Sequence, residues 1–320
     1  MERASSKVPS RHPIDGIGRK KVGRGYFYFY WKNKAPVSEE DLRRIYKLKI
    51  PPAWLDVWIT IDKKAPIQAT GFDAKGRKQY RYHEAHIQKA EREKFKRLLD
   101  FLKRLPVLEK KLTKHQTLSL YHKKRVISTM LRIVREVHMR VGKECYAKTN
   151  KSYGVSSLRK THVKIKGTKI FFRFKAKAGK RVSYSLDDLA LAKHLKLLLK
   201  LEGDRLFQYI GDGKVKRVSD SEINAYIQTY MGKEFTCKDF RTYAANYLFL
   251  RTLLRETAKR NPKTDKIKKK NILAAVRSTA RELRHTKAIS KKSYIMSFCI
   301  DLYWSNPSFF LTRKEKDPNQ

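Results

Sequence analysis

Nowhere in the 320 residues is there an uninterrupted apolar run of membrane-spanning length, and residues 1–20 are polar and basic. Neither a membrane span nor a secretory leader is expected, and an intracellular protein is. Cysteine is scarce. Cys145, Cys237 and Cys299 are odd in number and far apart, which suits reduced thiols and gives neither a disulfide framework nor the clustered spacing of a zinc site. Acidic residues are outnumbered, 30 Asp+Glu against 76 Lys+Arg, so the formal net charge is +46. The paired carboxylates that hold magnesium in many nucleases are not evident. Asp187-Asp188 stands at an expected helix start, where acids normally cap. No G-x-x-x-x-G-K-[ST] is found, so no nucleotide cofactor is expected. Glycine (14) and proline (10) are too few for a low-complexity chain.

What remains is a chain with 41% hydrophobic and 11% aromatic residues, enough for a core or two. So large a positive charge on a folded protein calls for a polyanion, because phosphates relieve the self-repulsion. The pattern predicts an α+β protein in three parts. Residues 1–25 read as a flexible basic arm. Residues 26–90 read as a small antiparallel β domain, with strand-like Tyr26-Phe27-Tyr28-Phe29-Tyr30-Trp31, Val57-Trp58-Ile59-Thr60-Ile61, Ile67-Gln68-Ala69-Thr70-Gly71 and Gln79-Tyr80-Arg81-Tyr82-His83. Residues 91–320 read as a mostly helical domain of catalytic size. Helical spacing is expected over 85–104, 118–141, 187–201, 219–231, 237–256, 265–284 and 290–304. A three-stranded meander over 163–184 interrupts the helices.

Two partial motifs lead nowhere. Gly16-Ile17-Gly18-Arg19-Lys20-Lys21 lacks the third glycine of a dinucleotide fingerprint and precedes no helix, so it reads as a flexible basic turn. His83-Glu84-Ala85-His86 is one residue short of the zinc-binding H-E-x-x-H. No metal or other cofactor is expected.

Five residues stand out by their contexts. Arg140 falls at the end of an expected helix in His138-Met139-Arg140-Val141-Gly142-Lys143, and Lys177 lies in the turn Lys175-Ala176-Lys177-Ala178-Gly179-Lys180. Arg241 lies in Lys238-Asp239-Phe240-Arg241-Thr242-Tyr243, His285 ends a helix, and Tyr294 closes Ser290-Lys291-Lys292-Ser293-Tyr294. With 76 Lys+Arg and 17 Tyr in the chain, any one of them alone would pass for surface or core. In this order and in these contexts the set resembles the active site of the type IB DNA topoisomerases, in their compact poxvirus-type and bacterial branch. The resemblance extends to the N-terminal third, where Ile50-Pro51-Pro52-Ala53-Trp54 and Gly76-Arg77-Lys78-Gln79-Tyr80-Arg81-Tyr82 are similar to family segments, the second being the strand that enters the DNA major groove. Arg77, Gln79, Tyr80, Arg81 and Tyr82 are thereby candidate DNA contacts, although alternate tyrosines such as Tyr80 and Tyr82 can also be the buried face of a strand.

The resemblance implies ATP- and metal-independent relaxation of positive and negative supercoils by a monomeric clamp on duplex DNA. Tyr294 would be the nucleophile that conserves the phosphodiester energy in a 3′-phosphotyrosyl bond. Arg140 and Arg241 would donate their forks to the non-bridging oxygens, with His285 adding a further hydrogen bond. Lys177 would protonate the leaving 5′ oxygen; Lys175 and Lys180 flank it, and a lysine crowded by cations releases its proton more readily. Lys263 to Lys270 and Arg19-Lys20-Lys21 are candidate phosphate contacts. Two other readings share parts of the pattern. A tyrosine recombinase or integrase would normally carry H-x-x-R where Lys238-Asp239-Phe240-Arg241 stands, and a non-enzymatic basic DNA-binding protein would leave the ordered five unexplained.

Overall fold

The computed structural model describes residues 15–311. The chain divides into two compact units, Met1–Lys94 and Phe95–Gln320. The division falls within one long helix, four residues past the expected border at 90/91.

The first unit is a five-stranded antiparallel sheet in the order β2-β1-β3-β4-β5, formed by β1 (Gly16–Val22), β2 (Gly25–Tyr30), β3 (Leu55–Thr60), β4 (Ile67–Phe72) and β5 (Lys78–Tyr82), with α1 (Glu39–Lys47) between β2 and β3. The arm expected over residues 1–25 is corrected here: residues 1–14 lie outside the described residues, and Gly16–Val22 is a strand near the middle of the sheet. Its burial explains why composition hid it. Ile17 is fully buried opposite Tyr30 and Ile59, while the two glycines leave room for aromatic rings to lie across the backbone. A β-carbon at Gly18 would come within 2.6 Å of the Phe29 ring, and one at Gly16 would run into the Trp58 indole. The Gly-x-Gly pair is therefore a seat for aromatics. Ile17, Tyr28, Val57, Ile59 and Ala69, with Ile45 of α1, form the core of this unit.

The second unit takes α2 (Glu84–His115) from Phe95 onward, then α3 (Lys123–Val137), α4 (Glu144–Asn150), the meander β6 (Val163–Lys166), β7 (Lys169–Lys175), β8 (Arg181–Asp187), and α5 (Leu189–Leu198). It continues through a hairpin β9 (Gln208–Gly211) and β10 (Lys214–Arg217), then α6 (Asp220–Met231), α7 (Cys237–Lys259), α8 (Asp265–Glu282), the single turn α9 (Lys287–Ile289), a π turn over Ser290–Tyr294, and α10 (Ser297–Ser305). The meander is antiparallel in the order β6-β7-β8. Alternation in β7 buries Ile170, Phe172 and Phe174, which pack with Val126, Met130 and Val134 of α3 in the larger core. A second core joins Phe249 and Leu253 of α7, Ala275 and Val276 of α8, and Ile295, Met296 and Tyr303 around α10.

Three helical expectations need correction. The helix read over 118–141 spans only Lys123–Val137, because His138 turns left-handed at φ +53° and ends it. Arg140 thus lies in an irregular segment beyond the helix. The helix read over 290–304 is broken, with Ile295 and Met296 extended between the π turn and α10. The helix read over 85–104 runs on to His115. The β9–β10 hairpin was not anticipated, although its turn is Asp212-Gly213, both residues at positive φ, which is the strongest short hairpin signal.

Candidate active site

Arg241 is delivered by the first turns of α7. Thr236 and Asp239 cap that helix reciprocally, the Thr236 N–H donating to Asp239 Oδ2 at 2.8 Å. Arg97 of α2 then forks onto the same carboxylate, Nε to Oδ1 at 2.9 Å and Nη2 to Oδ2 at 2.7 Å. With the helix start fixed, Arg241 projects inward and is only 4% exposed. Its guanidinium donates to the carbonyls of His138 and of Leu283 (2.8 Å), and Nη2 lies 2.5 Å from His285 Nε2. Its Nε is buried without a hydrogen-bond partner. Burial, with the nearby charge of Arg140, works against the cation. None of its described partners is a carboxylate, so a buried positive charge is left for an incoming anion to neutralise.

Arg140 is placed by backbone packing. Gly142 takes φ +83°, and a β-carbon there would come within 2.6 Å of the Gly154 nitrogen; one on Gly154 would lie 2.5 Å from the Arg140 carbonyl oxygen. Only two glycines let these stretches cross so closely. The crossing is bonded on both sides. The Val155 N–H donates to the Arg140 carbonyl and the Ser156 N–H to the Val141 carbonyl, each at 2.8 Å. The Tyr153 N–H donates at 2.8 Å to the carbonyl of Lys175, tying the same stretch to the end of β7.

Lys177 follows directly. The turn between β7 and β8 closes with the Ala176 N–H donating to the Lys180 carbonyl at 2.7 Å, and reverses through Ala178 (φ +62°) and Gly179 (φ +75°). Lys175, Lys177 and Lys180 are all exposed.

His285 and Tyr294 come together after α8. Their rings stack at 4.5 Å between centroids, with 27° between planes, and the Arg241 guanidinium carbon lies 5.8 Å from the centre of the Tyr294 ring. Arg241 can only donate, so His285 Nε2 accepts and its proton resides on Nδ1, which faces Ser290 Oγ at 3.4 Å. Burial, then Arg241, Arg140, Lys180 and Lys177, drive the imidazole down to about 3, so it is neutral at ordinary pH. Arg241, His285 and Tyr294 thus meet directly, and the charges of Arg140, Lys180 and Lys177 lie near enough to act on the imidazole.

Sequence reasoning missed Asn246. It is 3% exposed on α7, its side-chain amide donates to the Tyr294 carbonyl at 3.0 Å, and its oxygen accepts from the Met296 N–H at 2.9 Å. This brace spans the point where the chain leaves the π turn, and it supplies hydrogen bonds to backbone outside regular structure. An asparagine inside an apolar helix pattern was the available signal, since a buried amide needs partners.

In the first unit the candidate DNA contacts separate by face. Tyr80 and Tyr82 are exposed, stacked 5.9 Å apart, and Tyr82 continues onto His86 at 5.4 Å; the reading of them as core does not hold. Gln79 and Arg81 alternate to the other face. Arg81 donates to the Lys49 carbonyl at 2.6 Å and lies over the Trp54 ring. Asp73 collects Arg77 Nε at 2.8 Å and Gln79 Nε2 at 3.0 Å, and the Arg77 interaction holds its carboxyl at about 2. Arg19 is turned inward, donating to the carbonyls of Pro51, Pro52 and Trp54, and so supports that turn. In the Lys263 to Lys270 run, Lys268 is engaged by the Trp304 carbonyl and by Asp265. No cluster of metal-ligating side chains occurs among the described residues, and no described helix is long and apolar enough to cross a membrane.

Known proteins resemble the chain over most of its length. Residues 77–297 match the family described as the catalytic core of eukaryotic DNA topoisomerase I, and residues 25–73 match the N-terminal domain of bacterial DNA topoisomerase IB. The chain is 53% identical over 313 residues to DNA topoisomerase 1B of Acanthamoeba polyphaga mimivirus, covering 96% of this chain and 93% of that protein. It is 28% identical over 236 residues to DNA topoisomerase 1B of vaccinia virus (strain Copenhagen), covering 72% and 71%. Similarity to DNA topoisomerase 1 of rabbit fibroma virus is 27% over 239 residues, covering 72% and 70%. With the family matched over most of its length, the chain belongs to the type IB DNA topoisomerases, isomerases whose substrate is DNA.

Proposed function

We propose that this enzyme relaxes both positive and negative supercoils by cutting one strand of duplex DNA through Tyr294, allowing rotation, and resealing the strand. The observation that carries the reading is Arg241: a guanidinium almost wholly buried, held by carbonyls and an imidazole and by no carboxylate, directly beside a stacked tyrosine. A scissile phosphate entering there completes its charge balance.

In the forward step the Tyr294 oxygen attacks phosphorus, its proton passing to solvent, and the bond from phosphorus to the 5′ oxygen breaks. Arg140 and Arg241 stabilise the charge gathering on the non-bridging oxygens, supplying what metal ions supply in other phosphoryl-transfer sites. Lys177 delivers its proton to the departing 5′ oxygen. Arg241 keeps its carbonyl and imidazole partners and offers its unpartnered Nε–H to the phosphate, and His285 adds a further hydrogen bond to a non-bridging oxygen. Resealing reverses each step, so no external energy source enters. Tyr80 and Tyr82 supply an exposed aromatic ladder to the DNA groove, and the surplus of lysine and arginine holds the phosphates in a salt-dependent clamp formed by a single chain. DNA-associated action inside a cell is part of this reading.

The test is plasmid relaxation in EDTA without ATP. Wild-type protein is expected to relax both signs of supercoil and to leave a 3′-phosphotyrosyl adduct on a suicide substrate. Tyr294→Phe is expected to bind DNA and do neither. Adduct formation by the variant would remove Tyr294 as nucleophile, and strand exchange without relaxation would point to a recombinase.

A further inference from the structure

Arg284 takes φ +55°, a backbone region that residues with a β-carbon avoid and glycine enters freely. A long charged side chain at such a position calls for a compensating role, and its contacts supply one. Nη2 donates to the Ser183 carbonyl at 3.3 Å, across 101 residues of sequence, and Nη1 to the Arg281 carbonyl at 3.4 Å. The guanidinium carbon stands 5.6 Å from the centre of the Tyr184 ring. Tyr184 is 5% exposed and stacks on Phe174 at 6.0 Å.

Ser183 and Tyr184 belong to β8, paired in register with Arg173 and Phe172 of β7. This is the hairpin whose far end is the Lys177 turn. Arg284 itself is the residue before His285. One side chain therefore joins the segment that carries His285 and leads to Tyr294 to the strand pair that carries Lys177. Arg284 is exposed, so its bonds compete with water and contribute little to folding stability. Their effect is geometric.

We infer that Arg284 is a positioning residue, strapping the Lys177 hairpin to the His285–Tyr294 segment so that the proton donor is in reach when the bond to the 5′ oxygen breaks. This rests on Lys177 being the proton donor in the reading above. The strap is distinct from a phosphate contact, which would hold DNA without regard to how the leaving group departs.

Single-turnover cleavage of two duplexes separates these cases. One duplex has an ordinary scissile phosphodiester, and the other has sulfur in place of the bridging 5′ oxygen. A thiolate leaves without being protonated, so only the oxygen substrate needs the general acid. R284G, which suits the left-handed backbone, is expected to melt and bind DNA like wild type, to cleave the oxygen substrate ~10–100-fold more slowly, and to cleave the sulfur substrate at the wild-type rate. R284K keeps the charge but loses the planar fork, and is expected to share the sulfur-rescued defect. Equal slowing on both substrates, weaker DNA binding with normal cleavage at saturation, or wild-type cleavage by either variant would each overturn the strap. K177A guards the underlying reading. If sulfur fails to rescue K177A, the assignment of Lys177 falls; if it rescues K177A and not R284G, only the strap falls.

Discussion

In the proposed reading Arg241 and Lys177 are two cations of one site, and they are held in opposite ways. Arg241 rises from a 23-residue helix, is 4% exposed, and is gripped by two carbonyls and an imidazole. Lys177 is exposed on a turn that reverses through two consecutive left-handed residues. The contrast matches two tasks. A charge that stabilises a transition state works best when it need not reorganise, whereas a proton donor has to approach the leaving oxygen, give up its proton and recover it. On the proposed assignment, the first task falls to a capped helix and the second to a hairpin tip.

The sharpest way to break this contrast is to loosen the rigid member. Arg241→Ala is expected to slow single-turnover cleavage by ~10²–10³, and Arg241→Lys to recover little, because a single ammonium cannot hold both carbonyls and an imidazole while facing phosphate. If Arg241→Lys cleaves at the wild-type rate, rigidity is not what the helix provides. A smaller effect is expected at Asn246, which braces the backbone of Tyr294, the proposed nucleophile. Asn246→Ala strands the Tyr294 carbonyl and the Met296 N–H in a buried setting, at a cost of ~2–4 kcal/mol, readable as a lower urea midpoint. Covalent adduct formation should slow by ~10-fold or more under conditions where the variant is fully folded. Unchanged cleavage by the folded variant would reduce Asn246 to a packing role.

The smallest effect concerns His285, which both cations influence. The folded protein keeps it neutral down to about 3, whereas the unfolded chain takes up a proton near 6.5. Between those values the unfolded state holds more protons, so stability rises with pH across the window. The contribution is complete above 6.5 and is lost as the pH falls toward 3. Denaturation midpoints of wild type should therefore decline more steeply below pH 6.5 than those of His285→Asn. Parallel curves would mean that the cations around His285 do not set its protonation.

Much of this arrangement could be read from residues alone, and the parts that could not share a cause. The β7–β8 hairpin was legible because buried Ile170, Phe172 and Phe174 alternate with exposed Lys169, Phe171, Arg173 and Lys175, the period of a half-buried strand. The five candidate site residues stood out through their neighbours in sequence. Gly16–Val22 was not, since its burial depends on rings contributed by Phe29 and Trp58, which no local pattern encodes. The break at Ile295 and Met296 was invisible because both residues are buried and continue the apolar spacing while the backbone straightens. Asn246 was hidden for the converse reason, its partners lying in backbone 48 and 50 residues away.

The crossing of Gly142 over Gly154 constrains how such an enzyme can change over generations. Most residues around a reacting centre can be exchanged by small steps, a methyl gained here and lost there. This pair admits no intermediate size: the first carbon added on either side meets main chain at 2.6 Å or less, and main chain cannot be trimmed in compensation. Libraries of variants selected for activity should therefore hold both glycines fixed while neighbouring positions drift, leaving them as two still points in an otherwise changing lineage.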